Sequence, residues 1–313
     1  MSKGSDDGRM IYLYCLTRSH EDPLHLPVKG IGSRGDEVYS IPFDDLAMTV
    51  SDSPQDDYET TRANTIQHEL VCEEVLKQGF TVLPVRFATV CKPTPGKSSA
   101  EEKIKRLLRR HYGEFHSLLR EMENKVELGL KVFWEKEGLF QAIVAENRNI
   151  RAMRDRIASH DSKGSSTYYE RLQLGTWVHS EMEERRDVDA RRLARALSRL
   201  AERYETNKVL IDMMILNAAF LVHKSRVEEF DHKANELDEK CGQRMKFNYV
   251  GPVPPFNFVE LIIHWEEEEE EFEIVRKGKR VEGVEGGSSK EKSTPGSEGY
   301  GLAEARSLSS NPP

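Results

Sequence analysis

The sequence predicts an α+β protein of two domains, in which the second is a ferredoxin-like βαββαβ sandwich with long helices. A length of 313 residues favours two domains over one. From Lys125 onward, segments with the strand period and the helical period follow one another in the order βαββαβ. After Lys277, glycine, serine, glutamate and lysine dominate, which predicts a disordered, charged C-terminal tail.

The predicted boundaries follow from these changes in pattern. We expect a disordered start at residues 1–9, an N-terminal α+β domain at 10–124, and the ferredoxin-like domain at 125–259. Residues 260–313 are predicted to be an acidic extension and a mostly disordered tail, because an unbroken run of glutamates at 266–271 precedes the polar composition.

In the first domain, β-branched and aromatic runs predict strands, and apolar residues at helical spacing predict helices. The predicted strands are 10–16, 37–41, 46–50 and the extended segment 80–90, and the predicted helices are 61–78 and 101–122. Gly79 follows the first helix as its C-terminal cap. Pro84 is expected at a strand start or a sheet edge, because it lacks an amide hydrogen.

In the second domain, KVELGLKVFW alternates apolar and polar residues and predicts a strand with one buried face. The predicted helices are 138–160, 167–204 and 226–241, and the further predicted strands are 209–215, 218–223 and 244–250. Leu216 and Asn217 are expected to form the turn between the two middle strands.

Composition excludes several classes of protein. The net charge of −8 argues against a nucleic-acid-binding protein. The four cysteines have no metal-binding spacing and indicate a reducing compartment. The N-terminus carries no apolar signal segment, and the longest apolar stretch is too short to span a bilayer. We therefore expect a soluble, cytoplasmic protein.

The loop at residues 91–99 raises a nucleotide-binding alternative, because Gly96-Lys97-Ser98 stands between an extended segment and a helix. The P-loop signature requires glycine where this chain has Cys91, and the prolines at 93 and 95 lack amide donors. Two S-x-x-E capping boxes, Ser98 with Glu101 and Ser99 with Glu102, explain the same residues as a helix start. The alternative remains a P-loop-like protein that uses this loop.

No complete catalytic or metal-binding constellation is present in the sequence. His111 and His116 lie five residues apart and share no helix face, and His68-Glu69 lacks the second histidine of a metalloprotease motif. No G-x-S-x-G motif occurs. We therefore predict no enzyme activity, no cofactor and no small-molecule substrate. A ferredoxin-like RNA or small-molecule binding module is a weaker alternative, since the strands lack an aromatic RNA-binding motif.

Two segments are candidates for contact with a partner. Arg86 interrupts the apolar run PVRFATV, so it either pairs with a carboxylate of the fold or meets a partner. The segment GPVPPFNFV, at 251–259, is either a rigid chain reversal packed on a sheet or an exposed docking surface. The candidate residues are Arg86, Phe87, Pro252, Pro254, Pro255 and Phe256.

Five segments in order resemble the gas vesicle protein F/L family. They are MIYLYCLTR, VLPVRFATV, VELGLKVFW, MILNAAFLV and GPVPPFNFV, and together they run from Met10 to Val259. Ala88, Val253 and Phe256 stand where the family pattern has Gly, Trp and Tyr. The loop at 92–99 and the extension after Val259 lie outside that pattern.

The resemblance implies a minor gas vesicle component of two α+β domains, not an enzyme. It implies that the protein assists vesicle assembly by binding the very apolar major shell protein and limiting its aggregation during nucleation. Other gas vesicle accessory proteins are further implied partners, and the implied location is the cytoplasm, in association with gas vesicles. No membrane or nucleic-acid partner is implied.

Overall fold

The computed structural model describes residues 8–19, 26–161, 167–265, 270–281 and 306–307. The fold mixes helices and sheets throughout this part of the chain, which confirms the predicted α+β class. The disorder predicted for residues 1–9 and for the tail after 277 falls mostly on residues outside the described set.

The first sheet is antiparallel, in the order β2-β3-β1-β4, and β5 also pairs with β1. Its strands are β1 (Met10–Arg18), β2 (Val38–Phe43), β3 (Leu46–Ser53), β4 (Leu83–Pro84) and β5 (Val90–Cys91), and the helices are α1 (Arg62–Lys77), α2 (Ala100–Arg110) and α3 (Tyr112–Met122). The extended segment predicted at 80–90 therefore forms only two short strands. Gly79 has a φ of 95°, as its predicted role as a helix terminator requires.

Strand β1 is buried on both faces, which explains its nearly continuous apolar sequence. On one face, Ile11 and Leu13 pack with helices α2 and α3 in the first core. On the other face, Tyr12 and Tyr14 pack with Val71 of α1. We call this second group, which also contains Cys72 and Tyr58, the Tyr12 cluster.

The single helix predicted at 101–122 is wrong, because two helices meet at His111. His111 leaves the helical region with φ of −108° and ψ of 22°. Gly113 follows two residues later, and glycine lowers helix propensity by about 1 kcal/mol relative to alanine. The break lets α2 and α3 both turn their apolar faces to the first core.

The start of α2 carries one capping box, not two. Ser99 Oγ accepts a hydrogen bond from the Glu102 amide, and Glu102 accepts one from the Ser99 amide. The Ser98 amide instead donates to the Thr94 carbonyl, and Glu101 pairs with Lys105. The predicted Ser98–Glu101 box is therefore wrong, since Ser98 belongs to the preceding turn.

Alanine substitution at Ser98 and at Ser99 is expected to have different effects on stability. Ser99→Ala should lower the free energy of unfolding by about 1 kcal/mol, because a helix N-cap is lost. Ser98→Ala should change the free energy of unfolding by less than about 0.5 kcal/mol, as is usual for a surface substitution that removes no cap. Urea denaturation followed by circular dichroism measures both values. Equal effects of the two variants would contradict this assignment of the cap.

The second sheet is antiparallel, in the order β7-β8-β6-β9. Its elements in chain order are β6 (Lys125–Trp134), α4 (Lys136–Glu146), α5 (Arg148–Asp161), α6 (Tyr168–Ser198), β7 (Arg203–Thr206), β8 (Met214–His223), α7 (Val227–Cys241) and β9 (Met245–Val253). Helices α4 to α7 bury their apolar faces with alternate residues of β6, such as Val126 and Leu128, in a second core.

Several predicted bounds in this half are wrong. The helix predicted at 138–160 is broken at Asn147, whose side-chain oxygen accepts from the Asn149 and Ile150 amides and so starts α5. The helix predicted at 167–204 ends at Ser198, and Tyr204 lies in β7 beside Phe220. The side chain of an internal Asn competes with the helix for backbone hydrogen bonds, and the spacing of apolar residues does not predict this competition.

The strand predicted at 209–215 and the turn predicted at Leu216-Asn217 are also wrong. Residues 207–213 connect β7 to β8, and Leu210 and Ile211 are 60% and 55% exposed. Asn217 lies inside β8, opposite Lys131. Strand β8 pairs with β6 at nine positions, on both sides of Asn217, so this long pairing overrides the local turn signal.

A C-terminal hairpin extends the first sheet instead of leaving it. Its strands are β10 (Val259–Trp265) and β11 (Glu270–Arg276), and short strands β12 (Lys279–Arg280) and β13 (Arg306–Ser307) pair with β7 and β9. Val85 bridges Leu261 in parallel, and the Arg86 amide donates to the Leu261 carbonyl at 2.9 Å. Val259 and Leu261 are buried in the first core. Residues 260–265 and 270–276, which lie in the predicted acidic extension of 260–313, are thus part of the folded structure.

Candidate partner-binding site

The segment at residues 85–89 is held on all sides by backbone hydrogen bonds. The Val85 amide donates to the Tyr14 carbonyl at 2.9 Å, while the neighbouring Arg86 amide donates to β10. Thr89 Oγ1 donates to the Arg86 carbonyl at 2.6 Å. The segment is therefore a fixed link between β1 and the C-terminal hairpin.

A buried series of hydrogen bonds through Tyr12 and His68 also fixes this segment. The Ala88 amide donates to the Tyr12 hydroxyl oxygen at 3.0 Å, and that hydroxyl lies 2.9 Å from His68 Nδ1. His68 is 4% exposed, and its burial lowers the pKa of its imidazole to about 4. The histidine is therefore neutral at pH 7, a state in which Nδ1 can accept from the Tyr12 hydroxyl, and a hydrogen bond with the Val85 backbone also holds the ring.

Ala88 adopts a left-handed conformation, with φ of 63°. An L-residue with a Cβ pays about 1–2 kcal/mol in this region, whereas glycine does not. Ala88→Gly keeps the amide that donates to Tyr12, so we expect the variant to be more stable by about 0.5 kcal/mol after the entropy of glycine is counted. Thermal unfolding measures the difference, and a lower melting temperature would contradict the expectation.

The segment at residues 251–258 is anchored by a buried carboxylate. Glu127 lies in the middle of the second sheet and is 4% exposed. It accepts two hydrogen bonds from Asn257, from the backbone amide at 2.7 Å and from Nδ2 at 2.6 Å. Asn207 Nδ2 donates to the Asn257 side-chain oxygen at 3.1 Å. Asn257 thus links the loop to both β6 and the end of β7.

Burial controls the charge of this carboxylate. Desolvation raises the pKa of Glu127 to about 7, while the two hydrogen bonds from Asn257 and the charge of Lys277 oppose that rise. The carboxyl is consequently half protonated near neutral pH. The anchoring bonds from Asn257 are strongest when it is ionised.

The backbone at the start of this segment leaves no room for a side chain. Gly251 has a φ of 132°, and a Cβ there would lie 2.9 Å from the Glu127 carbonyl oxygen. The Gly251–Pro252 peptide bond is cis. Close approach to β6 therefore requires glycine at this position.

The structure places the six candidate residues in different environments. Phe87 and Phe256 are half-buried and both pack against the Tyr12 cluster. Arg86 is 45% exposed, and its Nε lies 3.6 Å from Glu260 Oε2. Pro254 and Pro255 are buried, and Pro252 is exposed at the end of β9. We call Arg86, Phe87 and Phe256 the aromatic patch, since two of them share one cluster and the third adjoins Phe87.

The loop at residues 91–99 offers no phosphate cradle. The Thr94 and Ser98 amides bond to each other's carbonyls, and the Lys97 amide donates to Thr94. The Ser99 amide is used by Glu102. Because these donors are satisfied within the turn, the arrangement that a P-loop needs is not formed. The Lys97 side chain is exposed to solvent.

Other kinds of site receive no support from the described part of the chain. It contains no group of three or more His, Cys, Asp or Glu side chains placed to hold a metal ion. The four cysteines are free and buried. Among the described helices, none combines the length and apolar character needed to cross a membrane.

Sequence reasoning missed the residues that hold the candidate site in place. Glu127 occupies a polar position of an alternating strand, which normally faces solvent. The sequence around His68 gives no sign of its hydrogen-bond partner, because Tyr12 lies 56 residues away. The one available signal was Asn257, a polar residue enclosed by apolar and proline residues in PPFNFV.

Comparisons with known proteins agree on one family. The family model described as gas vesicle synthesis protein GvpL/GvpF matches residues 10–260. Gas vesicle protein F of Dolichospermum flosaquae is 25% identical over 252 residues, covering 80% of this chain and 98% of that protein. Gas vesicle protein L of Streptomyces sp. (strain CB03234) is 26% identical, covering 80% of this chain and 92% of that protein.

A solved structure matches as well. The crystal structure of the gas vesicle protein GvpF from Anabaena sp. PCC7120 superposes with a TM-score of 0.61 at 25% sequence identity. The superposition covers 79% of this chain and 96% of the other. Since the family model spans most of both sheets and the fold agrees, the chain belongs to the gas vesicle synthesis protein GvpL/GvpF family.

Proposed function

We propose that this protein is an accessory component of gas vesicles that assists their assembly. It binds the major shell protein and limits the aggregation of that apolar chain during nucleation, and other accessory proteins are further partners. The observation that carries the proposal is the family match over residues 10–260, which includes both sheets and the hairpin start. In this proposal the protein is not an enzyme, uses no cofactor, and works in the cytoplasm in association with gas vesicles.

The aromatic patch is the surface that we propose for the shell protein. Aromatic and arginine side chains contribute most to protein interfaces, particularly where the backbone is already fixed. Phe87 and Phe256 are half-buried on a cluster that His68 and Tyr12 hold rigid. Arg86 keeps an exposed guanidinium at their side.

The prolines of the second segment take supporting roles in this proposal. Pro254 and Pro255 are buried, so they fix the path of the chain toward Phe256. Pro252 is exposed and extends the contact surface at the end of β9. The segment is therefore both a chain reversal and a docking element.

We also propose the two-domain organisation with a ferredoxin-like second unit. Numbered from β6, the order β7-β8-β6-β9 is 2-3-1-4, and the helices lie with one face of β6 in the second core. Both features support a split βαβ arrangement. Glu121 of α3 then connects both units and the C-terminal hairpin. Its Oε1 lies 3.8 Å from Nη1 of Arg203 in β7, and its Oε2 lies 3.4 Å from Nη2 of Arg276 in β11.

Co-expression with the shell protein tests the proposed function. The measured quantity is the fraction of shell protein that remains in the supernatant after centrifugation, with and without this chain. We expect the chain to raise that fraction and to be retained on tagged shell protein. An unchanged fraction, together with normal vesicles after deletion of the gene, would contradict the proposal.

A further inference from the structure

A second surface lies on the helical layer of the other half of the molecule. Helices α4 and α5 meet at Asn147 and enclose an open groove of about 530 Å³. Phe140, Gln141, Val144 and Ala145 come from α4, and Arg151 and Arg154 come from α5. The groove is separate in the chain from the aromatic patch, whose residues lie in the connections between strands.

The floor of the groove is apolar. Phe140 and Val144 are four residues apart on α4, so they lie above one another on the same helix face. Phe140 is 37% exposed, which is unusual for a phenylalanine that packs on no cluster of the described core. Such a face between two helices suits the apolar stripe of a third helix.

The rim of the groove is cationic although the chain as a whole carries a net charge of −8. Arg151 is fixed in place, because its Nε donates to the Val144 carbonyl at 3.0 Å and its Nη2 donates to the Ala145 carbonyl. Within the described residues, the ion pair of Arg154 is with its exposed sequence neighbour Asp155, Nη2 to Oδ1 at 2.6 Å. An exposed pair of this kind contributes little, so a carboxylate from a partner can replace it.

We propose that this groove binds an amphipathic helix that carries carboxylates along the border of its apolar stripe. The apolar floor takes the stripe, and charge complementarity with Arg151 and Arg154 selects acidic flanks over basic ones. The eleven residues of α4 set the length of the occupant at about three turns. This inference is independent of the shell-protein surface.

The probe for this proposal is a labelled synthetic helix of about 14 residues, with leucines at helical spacing and glutamates beside them. Its binding to the full chain is measured by fluorescence anisotropy. We expect a dissociation constant on the order of 10–100 μM, as for a short interface. The same peptide with lysines in place of the glutamates should bind at least about tenfold more weakly.

Charge reversals on one helix provide the matched control. Arg154→Glu should weaken binding at least about tenfold, whereas Arg148→Glu, exposed on α5 outside the groove, should change it less than about twofold. Phe140→Ala should also weaken binding about tenfold, through loss of the apolar floor. Circular dichroism melts establish that the variants fold. Equal binding of both peptides, equal effects of the two reversals, or no binding would overturn the proposal.

Discussion

Replacement of Asn257 by alanine is expected to lower the free energy of unfolding by about 3 kcal/mol at pH 8. The variant retains the backbone amide bond to Glu127 but loses the side-chain donor at 2.6 Å and the link to Asn207. A buried carboxylate is then left with one donor, which is costly while it is ionised. Urea denaturation at pH 8 and at pH 5 measures the effect.

The pH dependence identifies the cause of this loss. Because the pKa of Glu127 is about 7, the carboxyl is mostly protonated at pH 5, and the loss should fall to about 1–2 kcal/mol. Asn207→Ala is the control, since it removes only the outer bond at 3.1 Å and should cost about 1 kcal/mol at both pH values. An effect of Asn257→Ala that is equal at both pH values would contradict the role of the carboxylate.

In the His68→Gln variant, the free energy of unfolding is expected to be about 2 kcal/mol higher at pH 5 than at pH 7. In the wild type, the titrations of two buried groups, Glu127 and His68, change the free energy of unfolding in opposite directions as the pH falls. The folded pKa of Glu127, about 7, lies above the ordinary value of 4.5 that the carboxyl has in the unfolded chain, so the folded state holds the extra proton between these pH values. Stability from this group therefore rises as the pH falls from 7 to 4.5.

His68 has the opposite sign. Its folded pKa, about 4, lies below the ordinary value of 6.5 that the imidazole has in the unfolded chain, so the unfolded state holds the extra proton and stability falls as the pH decreases from 6.5 to 4. The two contributions nearly cancel in the wild type, each being about 2 kcal/mol between pH 7 and pH 5. His68→Gln removes the opposing one, and the carboxyl contribution alone remains.

The reciprocal variant provides the control. Glu127→Gln leaves only the histidine contribution, so its stability should fall by about 2 kcal/mol between pH 7 and pH 5. Chemical denaturation across this range gives both slopes, whatever the change in absolute stability caused by each substitution. Identical slopes for the wild type and the two variants would show that neither group titrates as its burial implies.

Local patterns in the sequence predict the elements whose partners lie close by. The alternating strand Lys125–Trp134, the helix that begins after Thr61 and the capping box at Ser99 were all predicted from short segments. In each case the determinant lies within a few residues. Burial of one face, a side-chain cap or a glycine terminator is enough to specify the structure there.

Elements decided by distant partners could not be predicted in this way. Strand β8 continues through Asn217 because β6 offers nine pairing residues more than 80 positions away in sequence. The acidic hairpin folds because Val259 and Leu261 are buried in the first core. The glutamate-rich sequence of this segment does not indicate that burial. The sequence places the residues of the aromatic patch in two separate segments, and only the fold brings Phe87 and Phe256 to one cluster.

Retention of the shell protein by variants of the aromatic patch tests the central claim most directly. Tagged wild type, Arg86→Gln and, as a matched control in the loop at 91–99, Lys97→Gln are each co-expressed with the shell protein and recovered on resin. We predict strong retention by wild type and by Lys97→Gln, and a loss of at least about fivefold for Arg86→Gln at an unchanged melting temperature. Retention by Arg86→Gln equal to that of the wild type, or none by the wild type, would contradict the account.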